Sequence, residues 1–302
     1  TSMGGRLLSR WLNKPLKDQK VLRNRHQSVD NLIQDYRYDN LKPLLRQIGD
    51  IERIVSRIAL GSARPRDLST LKRSLEIVPD LHQELSTVEL PYLISLREQI
   101  ELHHSLLELL ARAIIEEPPV LIRDGGVIAE GYDKELDKLR NLSQNADQYL
   151  LELETRERQR TGIQTLKVAY NRVHGFYIEV SRLHSDQVPP EYVRRQTLKG
   201  AERFILPELK AFEDQVLSSR ERALSREKVL YEALLQTLAE HLQPLRSTAQ
   251  AIAELDVLSN FAERAITLNY ERPELTSTPG LNITDGRHPV VETTLDAPFV
   301  PN

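Results

Sequence analysis

The clearest absence from this 302-residue sequence is cysteine, of which there is none. Without thiols the chain can form neither disulfides nor thiolate metal sites, and this composition is typical of cytoplasmic proteins. No apolar run reaches the roughly 18–20 residues that a membrane-spanning helix requires, and no signal-peptide pattern is present. We therefore expect a cytoplasmic protein that makes no membrane contact.

Glycine and the large aromatic residues are also scarce, with 12 Gly, 5 Phe and 1 Trp. Together with 28% charged residues and an apolar set dominated by leucine, this composition favours helices over sheet. The chain is long enough for two domains and a sizeable core. Its net charge of −3 argues against a surface coated with nucleic acid, so any such contact must be local.

Motifs for nucleotide binding, metal binding and catalysis are not found. Residues 126–131 have the glycine spacing of a phosphate loop, but Tyr132-Asp133 follows where the loop needs Lys and Ser/Thr. The His103-His104 pair lacks the i+4 partner of a helical zinc site, and no local Ser/His/Asp pattern occurs. We interpret 126–131 as a glycine turn and expect no catalytic, cofactor-binding or metal-binding residue in this chain.

Helical periodicity covers most of the first half of the sequence. Asp50 and Gly61 occupy the positions of an N-terminal and a C-terminal cap around an apolar-periodic segment. A second pattern opens at Asp67 and is predicted to end at Pro79. A third helix is predicted over 90–116, followed by a glycine-rich turn. These segments predict a helical core.

Two longer helical patterns follow, over 133–160 and 207–241. In the first, Leu136, Leu139, Leu142 and Leu153 recur about every 3.5 residues, a spacing that suits packing along a partner helix. At 1.5 Å per residue the two helices would be about 40 and 50 Å long. The simplest geometry is an antiparallel arm that carries residues 162–206 at its tip. A final helix is predicted over 245–268. A Pro-, Gly- and Thr-rich tail follows, with a short strand-like run at Leu281–Thr284, and it looks like the opening of another domain.

Between the two arm helices the period falls to two. Leu166, Val168 and Tyr170 alternate with polar or small residues, and the same alternation returns after the turn 171–175, which predicts a β-hairpin with one apolar face. A second strand pair is predicted over Val193–Thr197 and 202–205. The fold class is therefore mainly α: a helical core and long antiparallel helices, with a small antiparallel β domain inserted at the helix tips.

Positive charge is concentrated on this β domain. Between Arg156 and Lys210 there are eleven Lys or Arg and six acids, a net charge of +5. One interpretation is a solvated charged hairpin; the other is a surface that meets phosphates. Polar donors interleaved with the cations, and few aromatics for stacking, favour the backbone of double-stranded DNA. The candidate contacts are Lys167, Asn171, Arg172, His174, Arg182, Arg194, Arg195, Gln196, Thr197, Lys199 and Arg203.

Several ordered motifs are spread over nearly the full length of the chain. They include Met3-Gly-Gly-Arg-Leu-Leu8, Ala63-Arg-Pro-Arg-Asp-Leu68, Ile122-Arg-Asp-Gly-Gly-Val-Ile-Ala-Glu-Gly-Tyr132, Val173-His-Gly-Phe-Tyr-Ile178, Arg194-Arg-Gln-Thr-Leu-Lys199 and Gly286-Arg-His-Pro-Val-Val-Glu292. In these motifs and their order the chain resembles the middle of bacterial DNA mismatch-repair proteins of the MutS family.

The resemblance implies a division into core and lever helices (1–158), an inserted clamp domain (159–206), returning lever helices (207–272) and the truncated start of an ATPase domain (273–302). It also implies that the clamp closes on DNA through backbone contacts. For the intact protein it implies mismatched-DNA binding, DNA-dependent ATP hydrolysis with Mg, a homodimer, a MutL-like repair partner and association with the nucleoid. No cofactor and no ATPase activity are expected of this chain itself.

Two alternatives to this function remain. The chain could be a helical scaffold whose β tip docks a protein partner, which charge reversal at Arg194 and Arg195 would distinguish from DNA binding. A nucleotide hydrolase in its own right is disfavoured by the absence of Gly-Lys-Ser/Thr from the sequence.

Overall fold

The computed structural model describes residues 1–144, 146–171, 175–294 and 299–300. Within these ranges it is mainly helical with one small antiparallel sheet, which confirms the predicted fold class. The elements, in chain order, are α1 (Ser2–Asn13), α2 (Gln19–Ile33), α3 (Arg37–Gln47), α4 (Ile51–Ala59), α5 (Pro65–Glu84), α6 (Pro91–Gln99), α7 (His104–Ala113), α8 (Lys134–Gln144), α9 (Ala146–Thr161), β1 (Lys167–Asn171), β2 (Gly175–Ser181), β3 (Val193–Thr197), β4 (Ala201–Ile205), α10 (Pro207–Ala239), α11 (Leu242–Thr267) and α12 (Pro289–Thr294).

Helix α11 is the centre of a helical body. It packs against α1, α2, α3, α4 and α6, and its side chains Ile252, Leu255 and Leu258 are fully buried. Small residues allow some of these helices to approach closely: a Cβ on Gly4 of α1 would lie 2.0 Å from Asp256 Oδ2. The body is therefore a close-packed core built around one long helix.

The predicted caps of α4 are both confirmed. The Asp50 side chain accepts the Arg53 N–H, and Gly61 has a φ of 63°. The Ser62 N–H then donates to the Arg57 carbonyl, which closes a Schellman-type C-terminus. Asp67, predicted to open the next helix, instead lies in its first turn and accepts the Arg64 N–H at 2.9 Å. Helix α5 therefore begins two residues earlier, at Pro65.

Two further predicted helix boundaries are wrong. Pro79 lies inside α5, which continues to Glu84. Val78 and Leu81 are fully buried on either side of it, so packing offsets the backbone hydrogen bond that proline cannot make. The helix predicted over 90–116 is two helices, α6 and α7, with His103 in the left-handed region between them at a φ of 47°.

Helices α8, α9 and α10 form the arm. At 33 residues α10 is about 50 Å long, and α8 packs along it. Leu136 and Leu139 are buried as predicted, but Leu142 is 43% exposed, so the predicted apolar stripe is wrong at that position. The stripe resumes at Leu153, which is buried against the sheet. The helices of the arm are therefore in apolar contact near each end.

The four strands form an antiparallel sheet in the order β1-β2-β4-β3. Both predicted strand pairs are confirmed; residues 172–174 of the first turn lie outside the described residues. One face of the sheet buries Phe176, Ile178 and Phe204 against Leu153 of α9 and Leu209 of α10. This second hydrophobic core is separate from that of the body, so the sheet is a small unit carried by α9 and α10.

Beyond α11 the described residues form no helix or strand other than α12. The strand-like run predicted at 281–284 is not a strand. No helix in the described ranges combines the length and apolarity that crossing a bilayer would need.

Candidate nucleic-acid interface

The direction of the arm determines which end of the sheet points away from the body. Arg156 of α9 pairs with Glu208 of α10 at 2.6 Å, and Tyr149 stacks on Phe212 with ring centroids 3.9 Å apart, so the two helices run antiparallel. Strand β1 runs back along the end of α9, since the Arg158 guanidinium donates to the carbonyl of Leu166 and the Val168 N–H donates to the Glu154 carboxylate, one helical turn earlier. The first residue of β1 is therefore far from the body and its last residue is nearer.

Three predicted contact residues meet at that far end, which we call the distal end of the sheet. Lys167 begins β1, Arg182 follows β2, and Lys199 lies in the turn between β3 and β4. The Arg182 N–H donates to the carbonyl of Gly200 at 3.2 Å, which brings Arg182 close to the turn that contains Lys199. All three side chains are exposed. Residues from three separate segments thus place positive charge at one end of one sheet.

Asn171 lies at the opposite end of the sheet. It is the last residue of β1 and pairs in register with Gly175, four residues or about 13 Å along the strand from Lys167. That end lies against α10, because the Phe176 N–H donates to the Glu213 carboxylate at 2.6 Å. Asn171 is therefore separated from the distal end. Arg172 and His174, predicted with it, lie outside the described residues.

Ion pairs take up most of the negative charge of the β domain. Five of the six carboxylates between Arg156 and Lys210 pair with arginines of the same span: Glu157 and Glu191 with Arg160, Glu208 with Arg156, Glu202 with Arg194, and Glu179 with Arg203. Among the described residues, Lys167, Arg182 and Lys199 are the cations of this span whose side chains make neither an ion pair within 4.0 Å nor a hydrogen bond. Local pairing therefore leaves positive charge at the distal end.

Arg203 and Gln196, both predicted contacts, lie in a row across the outer face of the sheet. The Arg203 guanidinium donates to Glu179 at 2.9 Å and to Gln196 Oε1 at 3.1 Å. It also covers the ring of Tyr177, with its central carbon 4.2 Å from the ring centroid. Only 18% of the Arg203 side chain is exposed. These contacts hold β2, β4 and β3 together, so much of the hydrogen-bonding capacity of Arg203 is used within the sheet.

The edge strand β3 carries the remaining predicted residues. Arg194 Nη2 lies 3.0 Å from Glu202 Oε2 without hydrogen-bond geometry, and 56% of the Arg194 side chain is exposed. A bulge between Arg194 and Gln196 leaves Arg195 out of register, and both Arg195 and Thr197 are exposed. Bulges redirect side chains at sheet edges. Strand β3 therefore presents two arginines and a hydroxyl beside the distal end.

Sequence reasoning missed the buried polar residues that fix this geometry. Glu157 is 2% exposed and accepts the hydroxyl of Tyr192 at 2.7 Å as well as the guanidinium of Arg160. Burial, followed by the hydrogen bond to Glu157, raises the pKa of Tyr192 well above its ordinary value. This network secures the loop that enters β3. No local signal identifies it, because Tyr192 and Glu157 are 35 residues apart in sequence.

The described residues place no group of three or more His, Asp or Glu side chains where they could hold a metal ion. The arrangement instead offers flexible cations and a hydroxyl on a rigid sheet, which suits binding to an extended anion.

Comparison with known protein families agrees with this architecture. Residues 1–262 match the family model described as MutS domain III. The chain belongs to the MutS domain III family. The match covers the body, the arm and the sheet, and it confirms the resemblance read from the sequence motifs. This MutS domain III is thus part of a MutS-family mismatch-repair protein. The phosphate loop of the family's ATPase does not occur in the 302 residues.

Proposed function

We propose that this MutS domain III holds double-stranded DNA by its phosphate backbone, with the distal end of the sheet as the main contact. The observation that carries this proposal is the pattern of local pairing: Arg156, Arg160, Arg194 and Arg203 pair with neighbouring carboxylates, whereas Lys167, Arg182 and Lys199 stay exposed at one end and pair with no carboxylate of the described residues. Arg195 and Thr197 extend the same surface along β3. Neutralising phosphates with such residues gives affinity without reading sequence.

Backbone contact with a duplex is favoured over single-strand binding by the position of the aromatic side chains. Phe176 and Phe204 are buried in the sheet core, and Tyr177 is covered by Arg203. Tyr170, predicted on the apolar face, is 48% exposed, but it packs against Phe176 at the end of the sheet away from the distal end. Proteins that bind single strands without sequence preference usually offer exposed rings on which bases stack. The partly paired Arg194 contributes charge to the surface, and Arg203 and Gln196 keep its shape. Asn171, and with it Arg172 and His174, stay candidate contacts.

The arm would relay the position of the sheet to the body. Leu209 of α10 belongs to the sheet core, whereas Tyr231, Leu234 and Leu238 of the same helix belong to the body core. A continuous helix shared by two cores moves as a lever. For the whole protein we propose the family's division into lever, clamp and ATPase regions, ATP and Mg as its cofactors, a homodimer, mismatched DNA and a MutL-like partner.

Reversal of charge at the distal end tests the proposal. In the triple variant Lys167→Glu, Arg182→Glu and Lys199→Glu, we expect duplex affinity to fall by at least about 100-fold at low salt. The slope of log K against log salt should also become less negative by up to about 3, because each phosphate contact contributes about −0.9. Fluorescence anisotropy with a labelled homoduplex and a mismatched duplex at several salt concentrations measures both quantities, and the chain should bind the two duplexes equally.

A matched control separates location from net charge. Lys14, Lys17 and Arg73 are exposed on the body, and their triple change to Glu alters the net charge by the same amount. This control should keep the slope of the parent chain. If the two triple variants lose affinity equally, or if the distal variant binds like the parent, the distal end is not the DNA contact and a protein-docking tip becomes the better interpretation.

A further inference from the structure

The glycine segment that resembles a phosphate loop binds a carboxylate of its own chain. The N–H groups of Gly126, Val127 and Ile128 all donate to the Glu227 side chain of α10, at 2.9, 2.5 and 2.8 Å. Gly125 and Gly126 have φ values of 74° and 75°, a region that glycine enters without strain. Successive N–H groups directed to one side in this way form an anion-binding nest.

The same carboxylate also ties α8 to this point. Arg140 of α8 donates to Glu227 Oε1 at 2.7 Å, and its other terminal nitrogen donates to the carbonyl of Ile128 at 2.8 Å. Glu227 is only 2% exposed. One buried side chain of α10 is therefore bonded to a loop of the body and to the neighbouring helix of the arm, where the arm leaves the body.

A second buried glutamate of α10 makes the equivalent contact with the sheet. Glu213 is 5% exposed and accepts the Phe176 N–H at 2.6 Å and the Lys210 ammonium at 2.7 Å. Gly175, with a φ of 73°, comes so close that a Cβ there would lie 1.9 Å from Glu213 Oε2. Again a carboxylate of α10 binds backbone next to a glycine with positive φ.

The two glutamates lie on nearly the same side of the helix. They are 14 residues apart, which corresponds to about 21 Å along the axis and about 40° around it. One lies near the sheet core and the other near the body core. Because hydrogen bonds to an ionised group are strong and directional, each carboxylate fixes both the place and the orientation of the backbone it binds.

We propose that Glu213 and Glu227 are positioning residues: Glu213 fixes the sheet on α10, Glu227 fixes α10 on the body, and together they set where the distal end stands relative to the body. The inference rests on the proposed function only for the statement that this position matters to DNA, and its test requires no DNA. Glutamine is nearly isosteric with glutamate but replaces one acceptor oxygen by an NH₂ group, so an N–H of the bound backbone loses its partner.

Two contacts of α10 are of interest, and we call them joints: the one with the sheet at Glu213 and the one with the body at Glu227. Spin labels can measure the two joints separately, because the chain has no cysteine of its own. Gln187 of the β domain, Arg220 of α10 and Arg73 of the body are exposed positions for introduced cysteines. Labels at 187 and 220 report the sheet against the arm, and labels at 220 and 73 report the arm against the body. Pulsed electron paramagnetic resonance then gives the distribution of label-to-label distances for each pair in the full chain.

We expect Glu213→Gln to broaden only the 187–220 distribution and Glu227→Gln to broaden only the 220–73 distribution. Hydrogen exchange should quicken about 10-fold or more at the Phe176 amide in the first variant and at amides 126–128 in the second. Glu221→Gln, an exposed change on the same helix, should leave both distributions and these amides unchanged.

The paired design separates positioning from general stability. If either variant broadens both distributions equally, or lowers the melting temperature while leaving both distributions narrow, the two glutamates stabilise the fold without positioning its parts and the inference is wrong. These distances are measured without DNA, so the inference about the two glutamates can hold even if the proposed DNA contact is wrong. The DNA contact can likewise hold if the inference about the glutamates is wrong.

Discussion

The two longest helices, α10 and α11, are adjacent in sequence but are used differently. Helix α11 has 11 buried residues among 26, and those in its middle are leucine, isoleucine, valine or alanine. Helix α10 has 9 buried residues among 33, and three of the five nearest its N-terminus are polar: Glu213, Ser219 and Glu227. Helix α11 is enclosed by apolar packing, whereas the buried contacts of α10 are fewer and include polar side chains.

This difference separates two ways of holding a helix. Apolar packing around α11 is spread over many side chains and favours a single close-packed arrangement. Besides α8, which packs along it, α10 is held by apolar contacts at its two ends and by the Glu213 and Glu227 carboxylates, with exposed apolar side chains such as Leu217 between them. A helix held at a few points can change its neighbours' orientation without unfolding, which suits a lever.

The largest expected effect is a cavity in α11. Leu255 is fully buried, and Leu255→Ala should lower the free energy of unfolding by about 3–5 kcal/mol. Leu217 of α10 is 41% exposed, and Leu217→Ala should cost about 1 kcal/mol or less. Denaturant unfolding followed by the fluorescence of Trp11, the single tryptophan of the chain, measures the body in both variants. Equal losses would show that α10 is packed as deeply as α11.

A smaller effect is expected where the sheet meets α10. At Gly175 an alanine would have a φ of 73° and a Cβ 1.9 Å from Glu213 Oε2, so Gly175→Ala should destabilise the sheet by about 1–3 kcal/mol. Gly200→Ala is the matched control, since nothing lies within 4 Å of its Cβ position. Amide exchange across β1 and β2 should quicken in the first variant alone, with Trp11 fluorescence unchanged. If amide exchange in Gly175→Ala stayed as slow as in the parent chain, the Glu213 side chain would have moved aside for the added methyl group.

The smallest expected effect is a pH dependence at the base of the arm. A hydrogen bond from Arg226 lowers the pKa of Asp133, outweighing burial, which acts in the opposite direction. A carboxyl whose folded pKa lies below its unfolded value stabilises the fold at neutral pH, and this contribution is lost as the pH falls below about 4. The denaturant midpoint should therefore fall less between pH 7 and pH 3.5 in Asp133→Asn than in the parent. Asp80→Asn, an exposed change on α5, should follow the parent; a parallel fall in all three chains would contradict the assignment.

Local patterns in the sequence predicted much of the fold. The caps at Asp50 and Gly61 satisfy backbone groups within a few residues, so their signal is local. The alternation around Val168 and Ile178 likewise places one face of a hairpin inward, and the structure has this register. The net positive charge of the β domain was also visible, although not which cations would remain unpaired.

Contacts between distant residues account for what the sequence did not show. Helices α6 and α7 are separated because the Thr248 hydroxyl of α11 accepts the Glu101 N–H at 3.2 Å and bonds the His103 ring at 2.8 Å. Thr248 is 145 residues away from His103 and fully buried, so no window around the break contains its cause. The pairing of Arg203 with Glu179 across two strands is of the same kind.

Composition and periodicity by themselves determined that the chain is helical, that a small sheet interrupts it, and where positive charge gathers, because these properties depend on neighbouring residues. Tertiary structure alone decided which cations lie at the distal end. It also decided that the backbone N–H groups of the glycine segment bind the carboxylate of Glu227, about 100 residues further along the chain. A buried carboxylate is stable only where several donors converge, and that convergence exists only after the helices have packed.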